Sequence, residues 1–217
     1  RRRWRPRRPS GVFDWWEIGY LSMVSGEVSM VDMTDFLERR LARRFRSHDH
    51  DGNGFLQQRD FELAAVRMAE EFGHGPESPA RQKLIAISLG LWEHLQKVAD
   101  LDTDGRISLD EYKAAFAAGM LETPETFRQN YVPYINAVLD IADIDRDGRL
   151  TVSDEVRWMG SLMNVPEQVS RDAFYRIDQD NDGFITVNDL VETIRGYYFD
   201  ESPDSPGHWL LGSLVDP

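Results

Sequence analysis

Apolar residues recur at helical spacing along this chain, and polar, glycine-bearing segments interrupt them at intervals. Phe36, Leu37, Leu41 and Phe45 lead into the first polar segment; Phe61, Ala64, Ala65, Met68 and Phe72 leave it. Ile87, Leu91, Leu95 and Val98 precede the second, and Tyr112 and Phe116 follow it. Tyr134, Val138 and Ile141 precede the third; Val156, Met159 and Met163 follow. Val169, Ala173, Phe174 and Ile177 enter the fourth, and Leu190, Val191 and Ile194 leave it. Spacings of three and four place such residues on one helix face, which buries against neighbouring helices. Pro166 suits the first turn of its helix, and Gly196 reads as the end of the last one. The pattern predicts an all-α chain of about eight helices in four helix–loop–helix units.

The polar segments repeat one another. They read DHDGNGFLQQRD (49–60), DLDTDGRISLDE (100–111), DIDRDGRLTVSD (143–154) and DQDNDGFITVND (178–189), each with glycine at its sixth position. A hard divalent cation such as Ca2+ takes six to eight oxygens, and a twelve-residue loop supplies them from positions 1, 3, 5, 7, 9 and 12. The candidate ligands of the first loop are Asp49, Asp51, Asn53, the Phe55 carbonyl and Asp60, with Gln57 at position 9. The second offers Asp100, Asp102, Asp104, the Arg106 carbonyl and Glu111, with Ser108. The third offers Asp143, Asp145, Asp147, the Arg149 carbonyl and Asp154, with Thr151. The fourth offers Asp178, Asp180, Asp182, the Phe184 carbonyl and Asp189, with Thr186. Position 7 contributes its backbone, so its side chain is expected to be free. Position 8 is apolar in each loop (Leu56, Ile107, Leu150, Ile185) and suits a short β-bridge between paired loops.

Three loops end in Asp rather than Glu. Asp is one methylene shorter and reaches the ion less easily with both oxygens, so these loops are expected to tolerate the smaller Mg2+ as well as Ca2+. Fifteen carboxylates occupy ligand positions. Their repulsion without metal should link binding to folding.

Composition narrows the partners. Six arginines fall in the first eight residues, and with those set aside the formal charge of −13 becomes −19. A body so acidic attracts cations and repels nucleic acid. The chain has no cysteine, which excludes disulfides and thiol chemistry and suits a reducing cytoplasm. No apolar run is long enough to span a membrane. His48 and His50 lack further zinc-type partners, and no H-E-x-x-H, G-x-S-x-G or P-loop pattern occurs, so no catalysis is expected.

These features divide the chain into a basic, aromatic and flexible leader (1–32), a first loop pair (33–120), a second pair (121–200) and a tail (201–217). The segment 73–79 reads as a surface linker, and 119–125 as the separator of the pairs. The leader, with Trp4, Trp15 and Trp16 among its arginines, offers an anionic membrane a contact; a free leader is the favoured reading.

Together the four loops, the long first gap and the tail SPGHWLLG (205–212) resemble the sarcoplasmic calcium-binding proteins and the bacterial calerythrin-like proteins, over residues 33–213. The resemblance implies one compact globule of two EF-hand pairs with a role in calcium buffering or transport; a monomeric intracellular buffer is the favoured reading. A sensor that opens an apolar groove to a target protein is the alternative. A coelenterazine-type photoprotein or luciferin-binding protein is a third reading. It would need an apolar cavity, for which Trp92, His94, Trp158, Tyr175 and His208 are the candidate walls. The tail patch at Trp209–Leu211 is expected to plug the cleft that a sensor would expose.

Overall fold

The computed structural model describes residues 33–119, 121, 127–202 and 204–212. The leader, most of the 119–125 separator and the last five residues lie outside the described residues. So do the expectations of a free or membrane-docked leader.

Eight α-helices form among the described residues: α1 (Asp35–His48), α2 (Gln58–Glu71), α3 (Pro79–Ala99), α4 (Leu109–Ala117), α5 (Phe127–Ala142), α6 (Val152–Met163), α7 (Glu167–Ile177) and α8 (Val187–Phe199). Each starts or stops on local chemistry. The Thr34 hydroxyl accepts the Leu37 amide at 3.2 Å and caps α1. Ser78 caps α3, with Pro79 in its first turn. Asn164 ends α6 in the left-handed region at φ 53°.

Two strands of two residues, β1 (Arg149–Leu150) and β2 (Ile185–Thr186), pair antiparallel, with Leu150 opposite Ile185. The matching contact between the first two loops is the single bridge Leu56–Ile107. Position 8 thus joins loop one to loop two and loop three to loop four, as the sequence pattern predicts.

The two halves share one hydrophobic core. α2 packs on α3 and on α6, α5 on α3 and α8, and α1 on α4 and α8. Leu41, Phe45, Phe116, Phe127, Phe174 and Ile185 belong to the same buried cluster. Glu155 is also buried there; it accepts the Trp158 indole N–H, and burial pushes its carboxyl up to about 8.

Three details depart from the sequence reading. Gly196 does not end α8, which continues to Phe199. Its lack of a side chain serves packing instead: a Cβ there would meet the Ser205 hydroxyl at 3.0 Å. Pro166 stands one residue before α7 with extended backbone (φ −60°, ψ 145°), not inside its first turn. The stripe that begins at Tyr134 belongs to a helix that starts at Phe127 and carries Pro133 in its interior. A proline there removes one helical hydrogen bond, and the burial of Phe127, Tyr134, Ile135 and Val138 offsets that loss.

Beyond α8, a 3-10 helix (Pro206–Trp209) lies against α8 and α7. Arg40 of α1 ties these parts together. Its Nη1 donates to the carbonyls of Gly196 (3.1 Å), Tyr197 (2.6 Å) and Asp200 (2.8 Å), which satisfies the last turn of α8. The Tyr197 hydroxyl returns a bond to the Arg40 carbonyl at 2.6 Å.

Candidate metal centre

Each loop grows out of the end of its entering helix. Asp49, Asp100, Asp143 and Asp178 each donate a last helical bond from the backbone, then turn the side chain back into the loop. That carboxylate receives the amide of the sixth-position glycine: Gly54 at 2.9 Å, Gly105 at 3.1 Å, Gly148 at 2.8 Å and Gly183 at 3.0 Å. The glycines sit at φ of 81–85°, where a side chain would be strained. Position 4 is left-handed in all four loops as well, at Gly52 (69°), Thr103 (61°), Arg146 (62°) and Asn181 (57°). Sequence reasoning missed that second kink, because four different residue types occupy it.

The carboxylates converge. One oxygen each from Asp49, Asp51 and Asp60 lie within 4.8 Å of one another, and so do those of Asp100, Asp102 and Glu111. The same holds for Asp143, Asp145 and Asp147, and for Asp178, Asp180 and Asp182. Two oxygens that share a Ca2+ at about 2.4 Å stand no more than about 4.8 Å apart, so the spacing fits the ion. In the second loop Asp100 Oδ1 is buried with no donor among the described residues, as a metal-facing oxygen would be.

Positions 9 and 12 do a second job. Gln57 with Asp60, Ser108 with Glu111, Thr151 with Asp154 and Thr186 with Asp189 form capping boxes that start the exiting helices. Asp154 and Asp189 stand outside the carboxylate groups of their loops. One oxygen of each accepts a threonine hydroxyl, at 2.7 Å in both loops. Asp60 is raised in pKa, first by burial and then by the nearby Asp51 and Asp49 charges. Glu111 is lowered, chiefly by the Ser108 amide.

The expectation of a free side chain at position 7 is corrected in two loops. The Arg106 guanidinium holds Asp104 Oδ2 at 2.7 and 3.1 Å, and Arg149 holds Asp147 Oδ2 at the same distances. Both position-5 carboxyls are thereby lowered in pKa. The arginines also stack on position 7 of the paired loop: Arg106 on Phe55 at 4.4 Å and Arg149 on Phe184 at 3.9 Å. Loop two thus touches loop one, and loop three touches loop four, through the same pair of residue types.

His50, at position 2 of the first loop, also reaches beyond it. Its Nε2 lies 3.0 Å from the Leu162 carbonyl, which joins this loop to α6 of the other pair. Of the five residues suggested as walls of a chromophore cavity, Trp92 and Trp158 are buried in the core, Tyr175 is 64% exposed, and His208 stacks on Phe36. His94 alone of the five lines a half-open pocket, beside Arg44, Leu95 and Tyr134.

Four glycine-kinked acidic loops, paired by β-bridges between helices, define an EF-hand protein. The sequence matches the EF-hand domain pair family over residues 38–117 and the EF hand family over 171–192. Calerythrin of Saccharopolyspora erythraea is 27% identical over 161 residues, 74% of this chain and 90% of that protein. The sarcoplasmic calcium-binding protein beta chain of Penaeus is 30% identical over 141 residues, 63% of this chain and 68% of that one. A solved calcium-binding protein of Streptomyces coelicolor, described in terms of prokaryotic calcium-mediated regulation, is 35% identical. It superposes with a TM-score of 0.67 and covers 75% of this chain and 97% of its own. Apo-aequorin and clytin, 16% and 18% identical, share the fold alone. The chain belongs to the calerythrin and sarcoplasmic calcium-binding protein family, and it is a calcium-binding EF-hand protein. Among the described residues no helix is long and apolar enough to cross a membrane.

Proposed function

We propose that this protein is a monomeric Ca2+/Mg2+ buffer of the cytoplasm that binds up to four Ca2+ through the ligand positions named above. The observation that carries this reading is the closed interior. The tail residues Leu210 and Leu211 are buried against the body, and both loop pairs contribute to one core. Among the described residues, the large exposed apolar side chains, Leu101, Ile144 and Tyr175, are scattered singly. A sensor needs an apolar groove to offer a target, and burial of the tail over the described residues supports a closed form instead.

Magnesium enters through Asp154 and Asp189. Each gives one oxygen to a threonine, which leaves the other for the ion. Single-oxygen ligation suits the octahedral demand of Mg2+ better than the wider shell of Ca2+. Asp60 completes the Asp-ended set.

The test loads the purified chain with millimolar Mg2+ and a dye that brightens on apolar surface, then titrates Ca2+ while following Trp fluorescence. A buffer gives a Trp response with a dark dye and Mg2+-weakened Ca2+ binding. A brightening dye overturns the buffer reading in favour of a sensor. That second reading has its own support in the regulatory description of the Streptomyces coelicolor relative. The photoprotein reading has less: among the described residues, the half-open pocket lined by Arg44, His94 and Tyr134 measures about 80 Å³, against the roughly 300 Å³ at which small-molecule pockets begin.

A further inference from the structure

Loop one differs from the other three at its fifth position. Asp104, Asp147 and Asp182 stand there in loops two to four, and Asn53 stands there in loop one. Of the chain's six asparagines, only Asn53 is followed by glycine. Such a pair is chemically labile, because a glycine nitrogen, with no side chain beside it, can approach the asparagine side-chain carbon and expel its amide.

The loop sets up each part of this reaction. Asn53 and Gly54 are both exposed, so water reaches them. The Gly54 N–H donates to Asp49 Oδ2 at 2.9 Å, a carboxylate able to take that proton. The Phe55 N–H donates to Asn53 Oδ1 at 2.8 Å and stabilises negative charge that develops on this oxygen. Asn53 Nδ2, the group that must leave, donates to Gln57 Oε1 at 3.0 Å. A base, an oxyanion donor and a leaving group therefore meet around one asparagine. Loops two to four repeat the glycine-to-aspartate bond, but their position-5 carboxylates carry a charge that repels a nucleophile. Arg106 and Arg149 hold two of them in addition.

We propose that Asn53 is a site of spontaneous deamidation, and that the cation in loop one controls its rate. The Gly54 nitrogen forms a bond to Asn53 Cγ as its proton passes to Asp49. The Cγ–Nδ2 bond then breaks, the proton goes to the departing nitrogen, and ammonia leaves a cyclic imide. Water opens the imide at either carbonyl. The net change consumes one water and releases one ammonia, with no oxidation or reduction. One product carries an ordinary aspartate at position 53 and gives loop one the D-x-D-x-D-G pattern of the others. The second product runs the chain through the side-chain carbonyl. That adds a methylene to the backbone and shifts the ligand positions out of register. A cation held by Asp49, Asp51 and Asn53 fixes the loop and engages the Asp49 carboxylate, so it slows the first step. This control rests on the ligand role proposed above for loop one.

The test incubates the full chain at mildly alkaline pH with Ca2+ or with chelator, and reads every asparagine by peptide mass spectrometry. With chelator, Asn53 should convert ahead of the other asparagines. Calcium at about a hundred times its dissociation constant leaves about 1% of the loop empty, so conversion should slow by up to about a hundredfold. Asp49→Asn removes the base and should slow the chelated reaction. Loss of a bound ion should keep step with the iso-linked product. An Asn53 that stays intact, or that converts only together with every other asparagine as in general unfolding, overturns the proposal. So does a rate that Ca2+ leaves unchanged. Calorimetry then distinguishes a loop that bound no ion from one that bound without protection. If Asp49→Asn does not fold, the wild-type chain with and without Ca2+ decides the matter.

Discussion

Arg106 and Arg149 hold the carboxylates that a metal ion would need. Each guanidinium occupies an oxygen of the position-5 aspartate of its own loop. Calcium entering the second loop must compete with Arg106 for Asp104. Arg106→Ala should therefore tighten Ca2+ binding at this loop, by about two- to fivefold at low salt and less at high salt. Competition with a chromophoric chelator measures it. Phe55→Ala removes the ring under Arg106 but leaves the ion pair, so it should give no such gain. A loss of affinity in Arg106→Ala would mean that the arginine organises the loop more than it blocks it.

At the scale of elements, the tail and α8 are joined by an unusually close contact. A Cβ on Gly207 would run into the Tyr197 amide nitrogen and come within 2.7 Å of the Thr193 carbonyl oxygen. Gly207→Ala should cost about 1–3 kcal/mol through overpacking. The melting temperature would fall by roughly 2–4 °C per kcal/mol in a chain of this size, and an apolar-surface dye should brighten as the tail lifts. An unchanged melt would show that the tail adds nothing to stability.

His208, the next residue, brings a pH dependence. Burial first, then the positive charges of Arg40 and Arg176, lower its pKa below the usual 6.5. Above about 6.5 the ring is neutral in folded and unfolded chains alike. As pH falls through that value the unfolded chain takes up the proton first, so stability declines until the folded ring's own lower pKa is reached. His48 and His50 are lowered too and act with the same sign. Melts between pH 5 and 7.5 should show a shallower slope for His208→Gln than for the wild-type chain. An identical slope would remove the ring from the account.

For the whole molecule, stability depends above all on the acidity gathered at four places. Fifteen carboxylates at ligand positions repel one another when no cation is present. Chelation should lower the melting temperature sharply, and more so at low ionic strength, where repulsion is least screened. Calcium at about a hundred times its dissociation constant would return roughly 2.7 kcal/mol per site. Calorimetry with and without chelator, at two salt concentrations, checks both statements. A chelated chain as stable as the loaded one would contradict the link between binding and folding.

The sequence by itself determined the four loops, their glycines, the pairing through position 8 and the apolar faces of the helices. Those features are local: a twelve-residue loop carries its own ligands, and a helical stripe repeats every three or four residues. Tertiary structure decided what depends on residues far apart in the chain. Gly196 looked like a helix end because only Ser205 and Gly207, from the docked tail, reveal its purpose. The stripe of α5 was legible only from Tyr134 onward, because the core that holds Pro133 inside that helix is built from distant helices. The side chain of Arg106 looked free until the bridge Leu56–Ile107 brought Phe55 beside it. No spacing rule along a chain records which helix faces which, and that arrangement is where burial is set.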